Sequence, residues 1–358
     1  MSEFTIKLLE LLNNKHTCNE ICSMLNISNK QLFHYLTLLK NKGLLFDRKY
    51  YYNGEIKYIP ISTITDLKNY YCNANYSVNP AIITEHNQKN IKLVLISDLH
   101  LGNSLERLDL LNKTYDYCSK NGINIILNCG DLIDGISDCN LKNITDIYNQ
   151  IEYLIKNYPF DKNILNFAVA GNHDLNAIHS GHQDIIEALR NYRHDIVVCG
   201  YNNAFINIKN DIISLYHHIP NGKKLTKYSS SIVLHGHAHK YSTDMNDNKV
   251  LNIVVPSLSD ILSPFPTILE LELTFNKGFI EHANIKQVYL AFANKDYVIS
   301  EVEYNIQNND RKHSNYIYNE DPLPNKVTTS TTEEQQNKTL VKKPTSQIDK
   351  FNARYGLE

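Results

Sequence analysis

Five apolar runs in the middle of this chain each end in residues that can hold a metal ion or move a proton. The run from Ile91 ends in Asp98 and His100, and the run from Ile123 ends in Gly130, Asp131, Asp134 and Gly135. The run from Ile164 ends in Gly171, Asn172, His173 and Asp174, the run from Ile212 in His217 and His218, and the run from Ile232 in His235, Gly236, His237 and His239. Carboxylate, amide and imidazole groups gathered from segments this far apart would build a metal-dependent site.

The elements that must position these residues follow from the runs themselves. Short apolar runs that stop at Gly and then at polar residues read as buried strands of an α/β sheet whose ends converge on one rim. The spacing of two in Asp98/His100 and His237/His239 lets an extended or turning segment aim both side chains at one cavity. Gly130, Gly171 and Gly236 permit sharp turns at those ends. A helical pattern around Ile144 to Ile155 precedes the third run, and strand-like runs around Leu251–Val255, Ile268–Phe275, Val288–Phe292 and Val298–Tyr304 follow the last one.

In chain order the ends spell DxH, GDxxDG, GNHD, a strand-end His and GHxH. This set resembles the calcineurin-like metallophosphoesterases over Ile91 to Glu303. Each motif alone is weak, since a lone strand-end histidine is more often structural, but five in the family's order make chance agreement implausible. The resemblance implies an α/β (α+β) fold, a two-sheet αββα sandwich, with two divalent metal ions. Asp98, His100, Asp131 and His239 would hold one ion, and Asp131, Asn172, His217 and His237 the other, so that Asp131 bridges. His217 is favoured over His218 because the family ligand is usually followed by a nearby Pro, here Pro220. Oxygen and imidazole donors suit Mn²⁺, the favoured ion, or Fe²⁺ or Zn²⁺, and the lack of Cys in the motifs disfavours a thiolate zinc site. Two divalent ions outweigh the two ligand carboxylates and leave positive charge to attract a phosphate. His173 would stand beside the scissile phosphate and protonate the leaving oxygen, with Asp174 orienting its other nitrogen. Asp134 either supports the site or caps a turn.

Other polar residues carry less. His179 and His182 follow GNHD and either line the cleft or are ordinary loop histidines, and His235 suits a buried hydrogen-bonding role. Lys223, Lys224 and Lys227 either grip a nucleic-acid backbone or are simply solvated. His16, Cys18, Cys22 and His34 have poor spacing for zinc.

The first 61 residues are organised differently. Apolar positions predict helices around Ile6–Leu12, Ile21–Leu25 and Leu32–Leu39, with Ser28 as an N-cap for the third and Gly43 closing it. Two strand-like runs then flank Asn53-Gly54, a strong hairpin signal. Three short helices and a hairpin resemble a winged helix-turn-helix, carried by the stretch from Thr17 to Leu45. That resemblance implies a third helix in the DNA major groove and a wing on the backbone, with Asn29, Lys30, Gln31 and His34 on the helix and Arg48, Lys49 and Lys57 on the wing. Six basic residues against two acidic ones between Ser28 and Tyr58 suit phosphate contact. Winged helices also serve as dimer or docking modules, and a homodimer is compatible with this chain.

The expected organisation is a winged helix over 1–61, a linker over 62–90 with one short helix, a phosphoesterase domain over 91–306, and a disordered polar tail over 307–358. The tail is rich in Asn, Thr, Gln, Lys and Glu and too poor in large apolar residues to offset ordering entropy. Across 358 residues the formal charge is -2, which excludes a polybasic coat protein but not a local basic patch. An odd number of cysteines, 7, with no CxxC pair reads as reduced thiols. With neither a secretory signal nor a long apolar span, a cytoplasmic protein that does not enter membranes is expected. A winged helix tethered to a dinuclear site favours a nuclease, because tethering raises local substrate concentration. The alternative is a phosphatase or cyclic-nucleotide phosphodiesterase acting on a small molecule or phosphoprotein, and the second alternative a non-catalytic DNA-binding regulator.

Overall fold

Helices α1 (Glu3–Asn13), α2 (Cys18–Leu25) and α3 (Asn29–Asn41) open the chain. Thr17 and Ser28 start α2 and α3 with capping boxes, Ser28 accepting from the Gln31 main chain at 3.2 Å while the Gln31 side chain accepts from Ser28 N–H at 2.8 Å. Gly43 follows α3 with φ +91°, and Gly54 turns the hairpin of β1 (Phe46–Tyr51) and β2 (Ile56–Pro60) with φ +83°. Both positions need the left-handed backbone that glycine adopts without a Cβ clash.

The computed structural model describes residues 3–61, 80–136, 143–218, 230–247, 249–263, 265–290 and 296–306, all within one compact unit, Met1–Asn309. The expected polar tail, most of the linker with its short helix, and Lys223, Lys224 and Lys227 lie outside them. After the hairpin come β3 (Ala81–Ile83), β4 (Asn90–Ile96), α4 (Leu108–Asn121), β5 (Ile125–Asn128), α5 (Ile147–Asn157), β6 (Leu165–Val169), α6 (Asn172–His179), α7 (Ile185–Tyr192) and β7 (Ile196–Gly200). Then follow β8 (Asn203–Ile208), β9 (Asp211–Tyr216), β10 (Ile232–His235), β11 (Ser242–Met245), β12 (Leu251–Val254), β13 (Ile268–Asn276), β14 (Phe279–Tyr289) and β15 (Tyr297–Asn305).

The strands form two sheets. One runs β15-β14-β13-β4-β5-β6-β7, the other β11-β12-β10-β9-β8-β3-β1-β2. Alternation along each strand splits the core: Leu93, Leu95 and Phe167 face the second sheet with Ile206, Leu215 and Leu234, while Val94, Ile96 and Val198 face Leu110, Ile151 and Leu189 of α4, α5 and α7. One outer face is thus covered by helices. The second helical layer of an αββα sandwich is not among the described residues.

Two features of the N-terminal part depart from a tethered module. First, β1 pairs in parallel with β3, which pairs with β8, so the hairpin is the edge of the eight-stranded sheet. The segment read as a linker therefore contributes a strand, and three residues are too short for a periodicity signal. Second, the hairpin tip is docked: a Cβ on Gly54 would lie 1.8 Å from the carbonyl oxygen of Asn163. Leu8, Leu12, Leu32, Phe33 and Leu36 share one hydrophobic cluster with Phe167 and Ile206, and Thr37 Oγ1 donates to Asn191 O at 3.1 Å.

Strand directions place the hairpin relative to the polar strand ends. β9 runs toward His217, β8 is antiparallel to it, and β3 and β1 run with β8. The tip between β1 and β2 consequently lies at the rim opposite His217, as does Asn163, just before β6.

Candidate metal centre

The ends of β4, β5, β6, β9 and β10 deliver their polar residues to one rim. Asp98, His100, Asp131, Asn172, His217 and His239 are buried and His237 is half-buried. Five of these, Asp98, His100, Asp131, His237 and His239, have left-handed backbones with φ between 48° and 64°. Non-glycine residues adopt this region at a cost of about 1–3 kcal/mol each, and hydrogen bonds from the main-chain N–H hold three of them there. Asp98 N–H donates to Gly130 O at 2.9 Å, His100 N–H to Asp131 O at 3.0 Å, and His237 N–H to Asp98 Oδ2 at 3.1 Å.

The side chains form two groups that hold most of the expected ligands, and His100, Asp134 and His173 form a third whose donor atoms also lie within 4.8 Å of one another. Asp98, His100 and His239 offer donor atoms within 4.8 Å of one another, and so do Asp131, His217 and His237. Asn172 joins the second group, its Oδ1 2.9 Å from His217 Nε2 and 3.0 Å from His237 Nδ1. Asp131 spans both: Oδ2 is 3.1 Å from His217 Nε2 and 3.8 Å from His100 Nε2, while Oδ1 accepts the His173 main-chain N–H at 2.9 Å. A Cβ on Gly171 would lie 2.1 Å from that Oδ1, so only glycine admits the approach.

Tautomers are set by carbonyls behind the rings. His217 Nδ1 donates to Cys129 O at 2.8 Å and His239 Nδ1 to Ile261 O at 2.9 Å, which turns each Nε2 inward as a lone-pair donor. Both ring nitrogens of His100 are buried without a hydrogen-bond partner, an orphaned donor set that a cation would satisfy. Burial pushes the His237 pKa down to about 4, which keeps a lone pair available. Burial also works against charge on His217, but the neighbouring Asp131 carboxylate outweighs it and raises that pKa to about 9. Desolvation opposes charge on Asp131 too, yet His217 and His173 hold its pKa well below the usual carboxylate range. Oxygen and imidazole donors with these orphaned atoms fit two divalent ions.

His173 is half-buried beside this set, its ring 4.6 Å from that of His100. Its Nδ1 donates to the main-chain oxygen of Asp134 at 2.7 Å. The role expected for Asp174 is therefore corrected. Its carboxylate accepts from Gly171 N at 2.8 Å, Leu132 N at 3.1 Å and Ile133 N at 3.0 Å, tying the turn after β5 to the start of α6. Those main-chain donors occupy the carboxylate and leave it turned away from the His173 ring. Asp134 receives Asn103 Nδ2 at 2.9 Å and lies 3.7 Å from His100 Nδ1. His218 is exposed, whereas His217 lies inside the ligand group. His179 and His182 are exposed and His235 half-buried, outside the ligand groups.

The residues expected to touch nucleic acid lie elsewhere. Lys30, Gln31, His34 and Lys49 are exposed, and Asn29, Arg48 and Lys57 half-buried. Asn29 Oδ1 accepts from Cys22 Sγ at 2.9 Å, and Gln31 is held in its capping box. Sequence reasoning missed Asn103 and Ser257, whose hydroxyl donates to Asp98 O at 3.0 Å. Asn103 follows the DxH motif by three residues, a weak signal, and Ser257 has none.

Residues 91–260 match the family model described as calcineurin-like phosphoesterase. Among solved structures, the chain is similar to an archaeal phosphodiesterase at 17% identity, covering 58% of this chain and 100% of that one with a TM-score of 0.38. It is similar to the phosphoesterase YfcE of E. coli at 15% identity, covering 59% and 98% with a TM-score of 0.39. It is also similar to the nuclease MPE of Pseudomonas putida at 17% identity, covering 55% and 84% with a TM-score of 0.28. No curated protein matches the chain. No helix among the described residues is long and apolar enough to cross a membrane. Residues 91–260 thus combine the motifs in order, two clusters of candidate metal ligands and the match to the calcineurin-like phosphoesterase family.

Proposed function

We propose that this chain is a dinuclear-metal phosphodiesterase acting on nucleic acid, with DNA the favoured form. One observation carries the hydrolytic part: Asp131 Oδ2 lies between His217 and His100, at 3.1 and 3.8 Å, so one carboxylate serves two ligand groups. Asp98, His100, Asp131 and His239 would hold one ion and Asp131, Asn172, His217 and His237 the other, with Mn²⁺ favoured. When bound, such ions polarise phosphoryl oxygens and lower the pKa of an attacking water.

The chain's own residues do the rest. His173 commits Nδ1 to the Asp134 carbonyl, which leaves Nε2 to hand a proton to the leaving oxygen. The His173 main-chain bond to Asp131 Oδ1 fixes the distance between this acid and the ligand set. Exposed Lys30, His34 and Lys49 support contact with a nucleic-acid backbone. Because the hairpin tip sits at the rim opposite His217, such contact would run along the flank of the domain instead of capping the cleft.

A second reading, hydrolysis of a small phosphoester by a phosphatase or cyclic-nucleotide phosphodiesterase, is favoured by the docked hairpin. Gly54 against Asn163 leaves the tip unavailable as a free wing. Incubating the Mn²⁺-loaded protein with labelled single- and double-stranded DNA, RNA, cyclic nucleotides and a generic phosphodiester separates the two. Degradation of a nucleic acid is the expected result; cleavage of small esters alone would give the second reading.

A further inference from the structure

A buried amide behind the site is bonded to the peptide that holds His173. The buried residues of α5 are Ile147, Gln150, Ile151 and Leu154, so a glutamine takes a place on the apolar face of the helix, and it is 0% exposed. Burying an amide costs free energy unless its donors and its acceptor are bonded. Gln150 meets that condition. Its Oε1 accepts from Gly135 N–H at 2.9 Å, and its Nε2 donates to Gly135 O at 3.2 Å and to Ile144 O at 2.8 Å. The stem passes close to Gly102, where a Cβ would lie 2.9 Å from Gln150 Cγ.

The Gly135 N–H belongs to the same peptide unit as the Asp134 carbonyl, which accepts His173 Nδ1–H at 2.7 Å. A trans peptide is planar, with its N–H and C=O pointing in opposite directions, so fixing one direction fixes the other. Gln150 and His173 thus grip a single peptide plane from its two ends. Hydrogen bonds in such a chain polarise one another, so the bond from Gly135 N–H to Gln150 also makes the Asp134 carbonyl a better acceptor. Main-chain contact closes a further side: a Cβ on Gly135, whose φ is +63°, would lie 2.2 Å from His173 O.

We propose that Gln150 is a positioning residue for His173: it fixes the Asp134–Gly135 peptide, whose carbonyl sets the tautomer and the direction of the ring that protonates the leaving oxygen. This rests on the reading of His173 as the general acid. Gln150 belongs to none of the candidate ligand groups and acts through one peptide unit. An apolar side chain in its place leaves the Gly135 N–H without this acceptor and frees the peptide to tilt. His173 Nε2 then loses its aim, while the ligand side chains keep their own bonds. Misplacing a catalytic group by about 1 Å can cost about 10²-fold in rate.

Steady-state kinetics of the full-length, Mn²⁺-loaded protein on two phosphodiesters test this. Bis(p-nitrophenyl) phosphate releases a stabilised anion with little need of a proton, whereas diphenyl phosphate releases a poorer leaving group that needs one. In Gln150→Met, kcat for diphenyl phosphate is expected to fall about 10- to 100-fold further than kcat for bis(p-nitrophenyl) phosphate, with each KM within about threefold of the wild type. Gln150→Leu should give the same split and serves if Gln150→Met folds poorly. Gln150→Glu keeps an oxygen for the Gly135 N–H and should recover most of the difference. In a His173→Ala background, Gln150→Met should add less than about twofold, because residues that act through one step are not additive. A glutamine that only stabilises the fold would lower both rates alike and add its full loss to that of His173→Ala; either result overturns the proposal. If His173→Ala itself lowers both rates alike, the general-acid reading fails and takes the proposal with it. If His173→Ala discriminates between the esters and the Gln150 variants do not, the proposal alone fails.

Discussion

His173 donates Nδ1–H to the main-chain oxygen of Asp134 at 2.7 Å, while its own main-chain N–H holds Asp131 Oδ1 at 2.9 Å. One residue thus ties the turn after β5, which carries Asp131, to the imidazole proposed as the general acid. His173→Ala is expected to lower turnover by about 10²–10⁴-fold, the range for a lost general acid. Because the ligand set is untouched, metal content by elemental analysis stays at the wild-type level. Loss of metal would instead place His173 among the ligands.

Asp131→Ala removes the carboxylate proposed to serve both metal positions. Metal-dependent turnover is expected to vanish, and elemental analysis to show both ions weakened together. Retention of full activity would exclude Asp131 from the bridging position. Chelation of the wild type should abolish hydrolysis reversibly, with Mn²⁺ restoring it.

Gly54→Ala puts a methyl group into the Asn163 main chain at a position with φ +83°. Strain and overlap together should destabilise the folded protein by about 2 kcal/mol or more, read from the urea midpoint. Little or no change would mean that the hairpin tip is not docked in solution.

His194 is buried against Phe33 and bonded to Tyr58, and burial with nearby cations lowers its pKa to about 3. The folded state thus refuses a proton that the unfolded chain accepts near pH 6.5. Its contribution to stability is complete above that pH and is lost as pH falls from about 6.5 toward 3. His194→Phe should show a shallower loss of stability between pH 7 and pH 5 in urea titrations. An identical slope would remove His194 from the acid sensitivity of the fold.

The gathering of the candidate ligands was legible because each motif is local: Asp98 and His100, or His237 and His239, sit together at one strand end, and apolar runs mark the strands. The caps at Thr17 and Ser28, the turn at Gly43 and the hairpin at Gly54 leave similarly local signals. Long-range relationships left none. The docking of Gly54 on Asn163 and the pairing of β1 with β3 join residues far apart in sequence, and no periodicity reports them. The left-handed backbones of Asp98 and His100 are held by main-chain bonds to the turn after β5, and no residue type announces them. Asp174 was misread for a related reason: a carboxylate beside a histidine in sequence was expected to meet its ring, but α6 turns it toward three main-chain donors instead.

The central claim is that Asp131 joins two metal positions in one hydrolytic site. Anomalous diffraction from crystals grown with Mn²⁺ tests it most directly. Two manganese peaks are predicted, one among Asp98, His100 and His239 and one among Asn172, His217 and His237, with the Asp131 carboxylate contacting both. A single peak, or two peaks that do not share Asp131, would contradict the account.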